Sequence, residues 1–169
     1  MKKTVLTFGL ISGGIMTAMM LVTTAVARNI GFDKAEFVGY TTMILAAIML
    51  FVGVKSYRDN LNSGVISFGK AFKVALLITL VSTLLYVATW MVLSYTVFSD
   101  FMEQYSAAVL EKAKENGLTP EMWAEKQKEM EMYKEMYKNP VWRAAFTFIE
   151  PLPVGIPMSL ISAFVFKKK

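Results

Sequence analysis

Glu150 stands in the run Glu150-Pro151-Leu152-Pro153-Val154-Gly155-Ile156-Pro157, inside an apolar stretch covering roughly 141–166. A carboxylate set among prolines in such a stretch is the most chemically suggestive constellation in the chain. Each proline removes a backbone donor, and Pro151 biases Glu150 away from helical angles. Broken helices of this kind hold ions or substrates near the midplane of transporters, and ionisable groups within a membrane are functional candidates by default. Depth decides between two roles. Counting back about 20 residues from Phe166 reaches Thr147, which puts Glu150 only ~5 Å inside the outer boundary at about 1.5 Å per residue. There it would pair with Arg28 or Arg143 as a structural ion pair, whereas deeper in the membrane it would handle protons or cations.

Other chemistry is narrowed by composition. Cysteine and histidine are both absent, which removes disulfides, thiol nucleophiles, the usual zinc sites, haem ligation by His and every triad built on His. No clustered carboxylates and no nucleophile beside a base are visible, so the chain reads as a non-enzyme without catalytic, cofactor or metal residues. Met130, Met132 and Met136 form the one soft-ligand cluster, of a type that suits Cu(I), but Met is also adaptable packing material. Arg58, Lys70 and Lys73 flank one loop and would either contact an anionic lipid headgroup or anchor helices at the interface. Thr79, Ser82, Thr83, Tyr86, Thr89 and Trp90 recur at spacings of three and four, giving one helix a polar face that must turn into a bundle.

The elements that carry these residues are apolar and long. Stretches over roughly 5–27, 37–54, 74–98 and 141–166 approach or exceed the about 20 residues that a spanning helix needs, the second being the shortest. Hydrophobic residues make up 55% of the chain and charged ones 18%, and the mean hydropathy is +0.46, values rarely met in a soluble domain. The net charge of +5 is not pooled on one face but sits at span ends, which argues against nucleic acid. Placing both termini and the 55–73 loop in the cytoplasm puts nine basic residues inside and two, Arg28 and Lys34, in a short outer loop, as the positive-inside rule favours. The 99–139 segment then lies outside. Met1-Lys2-Lys3 with Ala25-Val26-Ala27 also resembles a cleaved signal peptide, although an apolar run of about 20 residues exceeds the usual ~7–15. Gly9 and Gly13, spaced by four, offer the first span a small-residue packing face, and Gly155, Ser159 and Ala163 offer the last one a matching stripe.

Between the third and fourth spans the chain turns polar, with nine acids and six bases over 99–139. The pattern predicts a helix over 100–116 ended by Gly117, then Thr119-Pro120-Glu121 as the start of a second helix that stops at Asn139-Pro140. Trp123, Met130, Tyr133 and Tyr137 share one face of that second arm. This is more apolar surface than a single facing helix can cover, which points to a protein partner, a second copy of the chain or the membrane surface.

The blocks Gly9-Leu10-Ile11-Ser12-Gly13, 53–59, 64–72 and 150–155, with Glu111-Lys112-Ala113 and Tyr137-Lys138-Asn139-Pro140 in the polar segment, resemble an uncharacterised family of bacterial membrane proteins catalogued as domain of unknown function 4199. The resemblance covers nearly the whole chain. It implies a small multi-pass protein of the cytoplasmic membrane and carries no catalytic or binding roles onto these positions. The expected fold is therefore all-α: a four-helix membrane bundle in which 1–98 holds the first three spans, 99–140 an extracytoplasmic helical hairpin, and 141–169 the proline-broken last span and basic tail. An accessory subunit in contact with lipid and partner protein is the leading functional expectation, and a small ion- or proton-coupled transporter or channel using Glu150 is the alternative.

Overall fold

The computed structural model describes residues 1–168 apart from the side chains of Ala27, Arg28, Asn29 and Asp33. Helix follows helix: α1 (Lys2–Ile30), α2 (Phe32–Ala46), α3 (Ile48–Leu61), α4 (Phe68–Thr96), α5 (Phe101–Glu115), α6 (Pro120–Lys138), α7 (Pro140–Ile149) and α8 (Leu152–Phe166). Four segments are long and apolar enough to cross a membrane, Lys2–Val26, Lys34–Leu61, Phe68–Thr96 and Pro140–Phe166. Each overlaps one expected stretch.

The second of these is not short. It begins at Lys34 and covers 28 residues, because α2 and α3 meet at Ala47 with helical angles (φ −65°, ψ −13°) and the Ala47 N–H still reaches the Met43 carbonyl at 2.9 Å. The third span also starts early. Ser67 accepts a hydrogen bond from the Lys70 N–H at 3.4 Å, a side-chain cap that satisfies one orphan donor of the first turn. At the proline run, Glu150 keeps helical angles (φ −55°, ψ −45°) and Pro151 lies nearby (φ −78°, ψ −14°), contrary to the expected departure. Packing of α7 and α8 along α4 holds an angle that a free Glu-Pro pair would avoid.

α4 is the centre of the bundle. A Cβ on Gly9 would lie 2.6 Å from Val81 Cβ, one on Gly13 3.1 Å from the Ser82 backbone, and one on Gly155 would overlap Thr79. Small residues here let helix backbones meet where lipid supplies no hydrophobic drive. The two small-residue stripes therefore rest on α4, whereas the sequence reading matched them to each other. Their polar groups are satisfied at the same contacts: Ser82 Oγ donates to the Gly9 carbonyl at 3.1 Å, and Thr79 Oγ1 and Ser159 Oγ share a hydrogen bond of 3.1 Å. Below them, Val54, Val74, Ala75, Ile78 and Ala163 are fully buried.

The two ends of the bundle differ. At one, the tail pairs with the α3–α4 loop through Ile66 N to Lys168 O and Lys168 N to Ile66 O, both 2.9 Å, so the loop and the C-terminal tail share a side. At the other, α5 and α6 form a helical hairpin. Gly117 adopts φ 69° at its tip, a conformation open to glycine at no steric cost, and Thr119 caps α6 by accepting from the Met122 N–H at 3.3 Å.

Candidate functional site

The hairpin folds back over its end of the bundle and leaves a cavity of about 550 Å³ between them. Six helices wall it, α1 through Met20, Thr23 and Thr24. α4 contributes Tyr86 and Trp90, which share a helix face at a spacing of four. α6 brings Met130, Tyr133 and Tyr137, α2 brings Glu36, Gly39 and Tyr40, and the end of the last span brings Thr147 and Glu150. Phe101 of α5 closes the aromatic wall, its ring 4.8 Å from that of Trp90 and edge-on to it. Such rings stack edge-to-face because their edges are positive and their faces negative.

Two hydrogen bonds fix the wall. The Trp90 indole N–H donates to Tyr137 Oη at 2.6 Å, joining α4 to the hairpin, and the Tyr86 hydroxyl donates to Glu150 Oε1 at 3.1 Å, joining α4 to the last span. Burial pushes the Tyr137 phenol up to about 12.

Arg143 and Glu150 lie on the same span but serve different partners. Arg143 is 8% exposed. Its guanidinium donates to the Ser94 carbonyl and Oγ at 3.2 Å and to the Tyr137 carbonyl at 3.1 Å, and it sits 4.1 Å and 4.6 Å from the ring centres of Tyr95 and Tyr137. That set ties α4, α6 and α7 together, and the expected Arg143–Glu150 ion pair is not formed. Arg28, the other expected partner, has a side chain outside the described residues. Glu150 is left with Tyr86, and its second oxygen has no partner among the described residues.

The remaining sequence candidates disperse. Arg58 Nε meets Asp59 Oδ1 at 2.6 Å and its guanidinium lies over the Phe166 ring, while Lys70 Nζ donates to Asn62 Oδ1 at 2.7 Å and Lys73 is exposed. Two of the three basic groups are thus occupied by their own neighbours. Met130 is buried against the cavity while Met132 is 52% exposed, so these two sulfurs do not converge. Among the described residues no group of three His, Cys, Asp or Glu side chains could hold a metal ion. The aromatic face of α6 turns inward: Met130, Tyr133 and Tyr137 border the cavity, Tyr133 packs edge-on against Phe146 at 6.0 Å, and Trp123 is half-buried. At Met130, Tyr133 and Tyr137 the apolar surface that the sequence assigned to a partner faces the chain's own helices.

Glu36 is the lining residue that the sequence reading missed. It has no hydrogen bond or ion pair among the described residues, and it interacts electrostatically with Glu150 across the cavity. A signal was present in the sequence. Glu36, Gly39 and Tyr40 follow one another at three and four, so an acid in the first turn of an apolar span shares its face with an aromatic ring.

A family profile described as Protein of unknown function (DUF4199) matches residues 7–168. The chain belongs to this family. The match takes in the first span from residue 7, the other three spans, the hairpin and every lining residue named above, and it brings no activity with it. Comparison with curated proteins and with solved structures gives no match.

Proposed function

We propose that this chain is a multi-pass protein of the cytoplasmic membrane, with both termini cytoplasmic and the hairpin outside, that binds a small ligand between the hairpin and the bundle and catalyses no reaction. The observation that carries this reading is the cavity itself. Its volume of about 550 Å³ falls within the ~300–1,000 Å³ of small-molecule sites. Its aromatic walls with a few polar groups are the lining such sites use. Positive-inside charge placement supports the orientation.

The test is native mass spectrometry of the protein released from gentle detergent. A constant-mass adduct is expected, and it should vanish in Gly39→Trp. Gly39 borders the cavity and a Cβ there would meet nothing within 4 Å, so the backbone at this position has room for a side chain to start into the space. An adduct-free wild type, or an adduct unaffected by the tryptophan, would count against the reading.

Two observations favour neighbouring readings. A void of about 20 Å³ bordered by Thr79, Ser82, Thr83 and Pro151 lies deeper in the bundle, which favours movement of an ion or proton onward from Glu150; flux in liposomes that Glu150→Gln abolishes would support it. Met122 and Met132 are 51% and 52% exposed on the hairpin. These leave the accessory reading an outward apolar surface, smaller than the aromatic face first assigned to it.

A further inference from the structure

The charge and the ring content of the cavity wall are mismatched with a neutral or acidic occupant. Among the described lining residues, Glu36, Glu129 and Glu150 face the single ammonium of Lys126, and Lys126 Nζ is already bound to Glu129 Oε2 at 2.8 Å. Among the described residues, Glu36 and Glu150 thus remain without a positive partner, on a wall that includes the rings of Tyr40, Tyr86, Trp90 and Phe101.

Carboxylates across an aromatic enclosure recognise cations of a particular size. Ring faces are negative and attract ammonium groups that are too bulky or too alkylated to keep a full hydration shell. A bare divalent metal would need several carboxylate oxygens drawn into one small shell, and no three acidic groups among the described residues approach that arrangement. The cavity is also far larger than a metal ion. An organic cation satisfies all three features: its charge lies between Glu36 and Glu150, its alkyl groups lie against the rings, and its bulk fills the space.

From this juxtaposition we infer that the cavity between the hairpin and the bundle binds an alkylammonium group, held between the Glu36 and Glu150 carboxylates and against the Tyr40, Tyr86 and Trp90 rings. The inference rests on the ligand-binding reading above and names its ligand class. The ammonium has two sources, a free quaternary or primary amine, or the headgroup of an ethanolamine or choline lipid from the surrounding leaflet.

The test uses the full chain in nanodiscs of an uncharged galactolipid, which offers no competing amine, with equilibrium dialysis of choline, tetraethylammonium and the neutral choline isostere 3,3-dimethylbutan-1-ol. Saturable binding of at least one ammonium is expected, with choline bound at least tenfold more tightly than the alcohol. Glu36→Gln should weaken ammonium binding at least tenfold. Glu36 has no side-chain bond to lose among the described residues, so its helical circular dichroism and its elution as a single species should match the wild type. Replacing part of the galactolipid with phosphatidylethanolamine identifies the source. A tenfold or greater fall in choline affinity assigns the site to a lipid headgroup, and unchanged affinity assigns it to a free amine. Alcohol binding as tight as choline binding, or full affinity in Glu36→Gln, would overturn the cation inference and leave the ligand-binding reading in place. Absence of ammonium binding to the wild type also overturns it, and the adduct lost in Gly39→Trp then shows separately whether the cavity holds something else.

Discussion

Tyr86 Oη lies 3.1 Å from Glu150 Oε1, so a residue of the central helix α4 and the carboxylate just ahead of Pro151 are joined by one charge-assisted hydrogen bond. Tyr86→Phe deletes the donor and leaves the carboxylate bare, and a bond to a charged group is worth about 1.5–3 kcal/mol. Glu150→Gln keeps an acceptor oxygen in the same place and should cost less. Thermal unfolding in detergent is expected to rank wild type above Glu150→Gln above Tyr86→Phe; the reverse order for the two variants would show that the charge matters more than the bond.

The hairpin is fastened at its base by the Trp90 to Tyr137 bond of 2.6 Å. Tyr137→Phe leaves a buried indole N–H without that acceptor, at a cost of about 1–3 kcal/mol. It should accelerate proteolysis within 99–139 while α1 to α4 stay protected.

Alkali should act at the same place. The Tyr137 phenol is held at about 12 by burial against an ordinary value of 10.0, so the released hairpin loses this proton before the docked one does. Stability from this group is complete below pH about 10 and is lost as pH climbs through about 12. Protease protection of the hairpin should fall over that window, and in Tyr137→Phe this component of the fall should be missing.

Glycine positions divide sharply. Gly9→Leu or Gly155→Val places side-chain atoms where Val81 or Thr79 already stands, and overpacking of this kind costs about 1–3 kcal/mol or more. A Cβ on Gly14 would meet nothing within 4 Å, and Gly14→Leu should be close to neutral. Yields of folded protein on gel filtration check all three, and equal loss at Gly14 would mean that the stripe on α1 has been assigned to the wrong face.

Topology is directly measurable because the chain has no cysteine of its own. A cysteine at Lys128 should react with an impermeant thiol reagent applied to intact cells, and one at Asn60 should react only after lysis. The opposite pattern would invert the proposed orientation.

The spans, the inward hydroxyl face of α4 and the small-residue face of α1, though not its partner α4, were legible in the sequence because each follows from a local rule: apolar length, spacing of three and four, small residues where backbones meet. Trp123, Met130, Tyr133 and Tyr137 show where such rules stop. Their shared face says that something must cover them, and only the fold-back of α6 over α4 and α7 says what. Glu36 escapes the sequence because the apolar run begins only at Phe37 while the span begins three residues earlier, at Lys34, and a carboxylate ahead of the run reads as loop. The cavity had no local signal, since it exists only where six separate helices fail to close completely.

The clasp of α4 has a temporal side. A chain made from its N-terminus exposes the Gly9 and Gly13 face of α1 well before Val81 and Ser82 are available to cover it. Throughout that interval the stripe is open to lipid, to insertion factors or to the same stripe on a neighbouring nascent chain. Crowded polysomes should therefore favour mispaired α1 dimers, and slowing initiation should favour monomeric closure on α4.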